Sequence, residues 1–245
     1  MRVAVITDIH ANLPALEAVL EAAASTGVGE TWCLGDVVGY GADPDACAEL
    51  VRERCALCLV GNHDLAVLGA LDVTAFSESA ADAVIWTRKN VSEGTLEFLR
   101  DLEPAGQRDG IGLFHASPRD PVWEYVLSGD DAAACLDIQP ERIALIGHSH
   151  RAIFFMRPDG DRHGLRGAQA GDGTLLDLDS GSWLINPGSV GQPRDGDPRA
   201  AWLELDTDEQ TARFHRVSYD IGRAAGSIAT AGLPTRLADR LYVGQ

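Results

Sequence analysis

The sequence predicts an α/β protein built as two β-sheets packed face to face with helices on the outer faces, and three observations lead there. Short apolar runs, Val3-Ala4-Val5-Ile6, Trp32-Cys33-Leu34, Leu57-Cys58-Leu59-Val60, Ile111-Gly112-Leu113-Phe114 and Ile143-Ala144-Leu145-Ile146, read as buried strands. A segment of helical period separates the first two, which makes a βαβ crossover. Downstream, Ala200–Leu205 and Thr211–Ser218 read as a strand pair about the polar turn Asp206–Gln210. A chain of 245 residues fits one such domain, residues 1–245, and 45% hydrophobic residues against 23% charged are ordinary for a globular core.

The elements follow in order. The first strand, Arg2–Thr7, leads into a helix over Leu13–Ala24, with Leu13, Leu16, Val19, Leu20 and Ala23 on one face. Asn12 is its N-cap, Pro14 sits in the first turn where a missing N–H costs little, and Gly27 ends it. Glu30–Leu34 is the second strand, followed by the glycine-rich loop Val37–Asp43 and a helix from Asp43-Pro44 to about Glu53. After the third strand, residues 65–102 read as helical, with Phe76, Ala80, Val84, Trp86, Leu96 and Leu99 as packing positions, forming a cap beside the strand ends. The turn-rich loop His115–Pro121 and a helix near Asp130–Leu136 come next. Pro158–Ser182, rich in Gly and Asp, reads as a surface hairpin. Ile221–Gly244 is expected to be helical, interrupted at Gly232-Leu233-Pro234, and lies outside any catalytic motif.

What the strands deliver at their C-terminal ends is the functional signal. Gly61-Asn62-His63-Asp64 places an amide, an imidazole and a carboxylate past one run, which suggests a metal site with an acid, Asp64, beside it. Asp8-Ile9-His10, Gly35-Asp36, His115 and Gly147-His148-Ser149-His150 follow four others. Of seven histidines, five sit immediately past such runs, whereas His163 and His215 have no motif context. Hard oxygen ligands mixed with imidazoles suit divalent first-row metals.

This ordered series resembles the calcineurin-like metallophosphoesterase superfamily, and Asn186-Pro187-Gly188-Ser189-Val190-Gly191-Gln192-Pro193-Arg194 is similar to a segment of its compact bacterial and archaeal phosphodiesterases. The resemblance covers about residues 1–195. It implies an αββα sandwich and two divalent ions, manganese first, with iron, zinc, nickel or magnesium as alternatives. By position, Asp8, His10, Asp36 and His150 would hold one ion and Asp36, Asn62, His115 and His148 the other, with Asp36 bridging. Two ions about 3.5–4 Å apart can share a hydroxide that attacks a phosphoryl group. His63 is then left facing the leaving group as general acid. Arg194 is a candidate substrate contact, because guanidinium matches phosphate geometry; Asn186, Ser189 and Gly188 are expected to shape its loop, and Arg119 to be a solvated loop charge.

The implied activity is hydrolysis of a small phosphodiester or nucleotide, with a dinucleoside polyphosphate hydrolase or a phosphomonoesterase as alternatives. Protein Ser/Thr phosphatases of the superfamily carry an Asp and a phosphate-contacting Arg where this chain has Gly39 and Tyr40, and a Glu where it has Asp64, which disfavours that branch. Ala11 stands where many members have Gly, a change tolerable unless the backbone there needs positive φ. The retromer subunit that resembles this fold is a binding scaffold with a degraded metal site; here all seven ligand positions are filled, which favours an enzyme.

A formal charge of −17 argues against a sequence-independent grip on nucleic acid, including that of the related nucleases, but not against a phosphate substrate beside bound cations. Five cysteines without regular spacing read as buried small hydrophobes in a reducing compartment. The chain opens directly on the strand that carries Asp8, and no run approaches the ~20 apolar residues of a membrane span, so the expected location is the cytoplasm.

Overall fold

A computed structural model describes residues 1–245. Along the chain the strands and helices are β1 (Arg2–Ile6), α1 (Leu13–Ser25), β2 (Glu30–Cys33), α2 (Pro44–Arg54), β3 (Leu57–Cys58), α3 (Asn62–Val67), α4 (Glu78–Asn90), α5 (Glu93–Arg100), β4 (Ala105–Arg108) and β5 (Ile111–Phe114). The second half adds α6 (Gly129–Ile138), β6 (Ile143–Leu145), β7 (Ala152–Arg157), β8 (Arg166–Gln169), β9 (Leu175–Asp177), β10 (Ser182–Pro187), β11 (Ala200–Asp206), β12 (Thr211–Val217), α7 (Ile221–Thr230) and α8 (Thr235–Asp239). Two six-stranded mixed sheets result, ordered β3-β2-β1-β11-β12-β9 and β4-β5-β6-β10-β7-β8.

The expected two-sheet sandwich is therefore the observed one, and β1 shows why. Its side chains alternate, so Val3 and Val5 enter the layer between the sheets with Trp32, Leu113, Leu145, Ile185 and Phe214, while Ala4 and Ile6 face Leu16, Val19 and Val51 of the helices outside. A strand apolar on both faces must be covered on both, and the parallel β1–β2–β3 and β5–β6–β10 portions are. Helix α6 covers the other sheet, with Cys135 and Leu136 against Ile146 and Leu184. Asn12 caps α1 as expected, its side chain accepting from the Ala15 amide at 3.2 Å.

The elements differ from or add detail to the expected ones at four places. The third strand spans only Leu57–Cys58, and Asn62, His63 and Asp64 form the first turn of α3 instead of a strand end. The helical region 65–102 breaks into α3, a 3₁₀ turn at Val73–Ala75, α4 and α5, because Gly69 and Ser77 or Ser92 end or cap each piece. Pro158–Ser182 is no simple hairpin: β8 pairs with β7, but β9 crosses to the other sheet and pairs with β12, since Leu176 and Leu178 enter the layer between the sheets. Strand β4, with no apolar run to announce it, forms an edge beside β5. The C-terminal segment is helical and breaks near Gly232 as expected; Ile228, Leu233, Leu237 and Leu241 pack on Tyr40, Ala80 and Ala83. No helix is long and apolar enough to cross a membrane.

Candidate active site

The C-terminal ends of β1, β2, β5 and β6, the start of α3 and the loop after β10 converge on one rim of the sandwich, the position at which α/β sheets bind ligands. The connections are fixed by backbone bonds: the Asp8 amide donates to Gly35 O at 3.0 Å, the His10 amide to Asp36 O at 2.9 Å and the Gly147 amide to His115 O at 2.7 Å. The His148 amide donates to the Asp8 carboxylate at 3.1 Å, tying the two sheets together. Asp8, His10, Asp36, His148 and His150 all have positive φ, between 51° and 63°. Such backbone costs on the order of 1–3 kcal/mol per residue and persists where the surroundings impose it, typically at functional sites. Ala11, at φ 50°, occupies the same region, so the glycine expected there is replaced at a position that does need positive φ.

Two groups of buried ligand atoms form, each within 4.8 Å: Asp8, His10, Asp36 and His150, and Asp36, His115 and His148. Asp36 belongs to both. His10 Nε2 lies 3.0 Å from His150 Nε2 and 3.5 Å from Asp36 Oδ2, while His115 Nε2 lies 3.6 Å from Asp36 Oδ2 and 3.2 Å from Asn62 Oδ1. The second nitrogens point outward: Nδ1 of His10, His115 and His150 donates to the carbonyls of Val38, Leu34 and Gln192 at 3.2, 3.0 and 2.7 Å. A carbonyl can only accept, so these bonds fix the tautomer and leave each Nε2 lone pair facing inward.

The donor set fits metal ions on the structure's own terms. Asp36 Oδ2 and His148 Nε2 are buried and have no hydrogen-bond partner, a costly arrangement for polar atoms unless something else meets them. Burial holds His10, His148 and His150 well below the usual imidazole range, so they are neutral and able to ligate. Burial likewise pushes the Asp8 carboxyl up to about 7 and Asp36 well above its ordinary value, Asp36 with the charge of Asp64 adding to the effect. Acids held near neutrality by desolvation are the groups a divalent cation would ionise.

Around this floor, His63 lies with its ring centroid 4.3 Å from Tyr40, 4.9 Å from His10 and 5.0 Å from Phe76. Its Nδ1 is buried without a partner, and its amide donates to Asp36 Oδ1 at 2.9 Å. Gly39, at φ 90°, makes room for it, since a Cβ there would stand 2.7 Å from His63 Nδ1. Gly61 is similarly constrained, for its Cβ would fall 2.0 Å from Asp36 Oδ1. The departure Gly39-Tyr40 is thus a packed unit under and beside His63.

Asp64, the acid expected beside the metal site, is fully buried there. Its carboxylate accepts from the amides of Val38, Gly61 and Val37 at 2.9, 3.0 and 3.2 Å, so it holds the Asp36 loop against α3 as a positioning residue. Asn186, Ser189 and Gly188 shape their loop as expected: Asn186 Nδ2 donates to Gly147 O at 2.6 Å, Ser189 Oγ to Asp8 O at 2.7 Å, and Gly188 has φ 87°. Arg119 is exposed beside Glu124, and His215 stacks on Trp202 away from the site, as His163 also lies away from it on the surface.

A cavity of about 350 Å³ opens above His63 and Asn62, lined by Tyr40, Phe76, Trp123, Tyr125 and three arginines, Arg194, Arg236 and Arg240. Arg194 was expected; the aromatic walls and the arginines of the C-terminal segment were not, because no motif marks them. Arg194 donates to Gln192 Oε1 at 2.8 Å and to the Tyr40 hydroxyl at 3.3 Å, and its Nε is buried without a partner. Tyr125 stacks on His148 with ring centroids 4.1 Å apart, and Phe76 meets Trp123 at 5.0 Å.

Residues 1–208 match the model of the calcineurin-like phosphoesterase superfamily domain. An uncharacterized protein of Methanocaldococcus jannaschii is 38% identical over 250 residues, spanning 99% of this chain and 98% of its own. A metallophosphoesterase from Sphaerobacter thermophilus is 38% identical and superimposes with a TM-score of 0.90 over 100% of this chain and 99% of that one. A hypothetical protein from Pyrococcus horikoshii, 20% identical with a TM-score of 0.79 over 100% and 98% of the two chains, shares the fold. With the paired carboxylate and imidazole clusters at the rim of a two-sheet sandwich, the chain belongs to the calcineurin-like phosphoesterase superfamily and is a phosphoric ester hydrolase.

Proposed function

We propose that this protein is a dinuclear, metal-dependent phosphodiesterase acting on a small phosphodiester or nucleotide. The observation that carries the reading is the sharing of Asp36 by two buried ligand groups directly beneath a 350 Å³ cavity walled by aromatic and arginine side chains. Asp8, His10, Asp36 and His150 would hold one ion, and Asp36, Asn62, His115 and His148 the other, with manganese suiting this oxygen and imidazole mixture. When bound, the ions supply Lewis acidity toward the phosphoryl oxygens and acidify water.

The protein's own groups do the rest. Arg194, half-buried at the cavity wall with one nitrogen free, matches the equatorial oxygens of a phosphoryl group. His63 faces the cavity beside Asn62 and can give its proton to the departing oxygen. Burial pulls its pKa well down, so protonated His63 is a strong acid, and a substrate's negative charge is what would charge it. Phe76, Trp123 and Tyr125 offer flat apolar faces to a nucleobase. Phosphopeptides are disfavoured, because Gly39 and Tyr40 replace the acid and the phosphate-contacting arginine of the protein phosphatases. Cleavage of dinucleoside polyphosphates is the second reading, and the three arginines favour it over simple monoester hydrolysis.

The test is turnover by purified protein, metal by metal, on bis-p-nitrophenyl phosphate, p-nitrophenyl phosphate, diadenosine tetraphosphate and a phosphoserine peptide. Diesters or phosphoanhydrides should lead in kcat/KM; a tenfold preference for the phosphopeptide in manganese would sink the assignment.

A further inference from the structure

Two guanidinium groups lie against one phenol ring in the cavity wall. Arg194 is 5.7 Å from the Tyr40 ring centroid and Arg240 is 6.0 Å from it. The two come from distant parts of the chain, and Arg236, one helical turn before Arg240, lines the same cavity. None of the three pairs with an Asp or Glu side chain, although the chain carries 37 acidic residues against 20 basic ones. Arg240 Nε donates to the main-chain oxygen of Gln245, which aims the guanidinium. Burial, with the charge of Arg194 adding to it, draws Arg240 down to about 10, so it remains cationic at neutral pH. Like charges held together beside a desolvated ring are repelled unless an anion lies among them.

Arg194 alone suffices for one phosphoryl group over the ligand clusters. We infer that Arg236 and Arg240 form a second anion subsite, which takes a further phosphoryl group linked to the scissile one, so that the substrate class carries at least two phosphoryl groups in sequence. The positions agree with this. Tyr40 contacts both arginines and His63, the two rings having centroids 4.3 Å apart, and Phe76 packs on His63 at 5.0 Å. In the proposed subsite a phosphate chain would pass from His63 by Tyr40 to Arg240, leaving Phe76 and Trp123 for the organic part. The inference rests on the proposed phosphoesterase site, and its test reads binding, not turnover.

The probes are methylenediphosphonate and methylphosphonate, neither hydrolysable, titrated calorimetrically into manganese-loaded protein. Wild type should bind the two-phosphoryl probe at least tenfold more tightly than the one-phosphoryl probe. In Arg236→Ala/Arg240→Ala that ratio should fall by about tenfold to a hundredfold, the scale of losing charge-assisted bonds to phosphate, with Arg240→Lys recovering part of it. Metal content and melting temperature of each variant are measured alongside, so that a collapsed site is recognised. An unchanged ratio in the double variant, or no preference in wild type, overturns the subsite. Absence of turnover on every ester with the binding ratio intact would instead discredit the catalytic reading and leave the subsite standing.

Discussion

Asp36 and His63 are neighbours that do different work, and substitution separates them. Asp36 offers Oδ1 to the His63 amide and leaves Oδ2 free between the two ligand groups. Asp36→Asn keeps the first contact and removes the charge that both groups share, so metal content and turnover should fall together, turnover by about a thousandfold or more. Retention of two metal equivalents by elemental analysis with near-normal kcat would show that the bridge is elsewhere. His63 belongs to neither ligand group. His63→Asn should keep its metals and lose about 10²–10⁴ in kcat on an alkyl phosphodiester, whose alkoxide needs a proton, but much less on a p-nitrophenyl ester. Equal losses on both would mean that His63 acts on the phosphoryl group or the metal centre.

At the scale of elements, every candidate ligand lies at a strand end, at the start of α3 or in the turn that follows, whereas part of the cavity's wall comes from the C-terminal segment, through Arg236 of α8 and Arg240 just after it. The first set was legible in the sequence because each piece is local: an apolar run, then Gly or Asp, then His. The second was not, because Arg240 meets Tyr40 only after the chain has crossed both sheets, and a lone arginine in an amphipathic helix reads as a solvated charge. The β8–β9 switch was hidden for a related reason, since Gly- and Asp-rich turns show where a chain reverses but not which sheet receives it. Segregation of ligands from roof has a consequence. Leu237 is fully buried against the cluster around Tyr40, so Leu237→Ala should cost about 2–5 kcal/mol and raise hydrogen exchange in Ile221–Thr230. Metal stoichiometry should be unchanged, because none of the ligand residues lies on α7 or α8; joint loss of metal would show that the roof holds the ligand loops in place.

For the whole molecule, the buried site couples stability to pH in a way that metal should reverse. Folding holds Asp8 up to about 7 and also raises Asp36 and Asp64, all through burial first, while it holds His10, His63, His148 and His150 well below their ordinary range. Between about pH 4 and 6.5 the unfolded chain carries protons on those four imidazoles while the folded chain retains protons on raised carboxyls such as Asp8, so the two contributions to the slope oppose each other. Above about 6.5 the imidazoles are neutral in both states. Only carboxyls raised far enough to keep a proton in the folded state then differ from the ionised unfolded chain, Asp36 foremost. A carboxyl with a raised folded pKa contributes stability that disappears as pH rises through that pKa, beginning with Asp8. Each carboxyl still titrating costs about 1.4 kcal/mol per pH unit, roughly 3–5 °C in a domain of this size. Chelated protein should therefore melt lower at pH 8.5 than at pH 6.5. Manganese, by ionising the same carboxylates and meeting the same imidazoles, should stabilise the fold more at the higher pH, so the melting-temperature gap between loaded and chelated protein widens. Scanning both forms across that range by calorimetry decides it: a gap that stays constant or narrows would mean that Asp8 and Asp36 are not the groups the metal ionises.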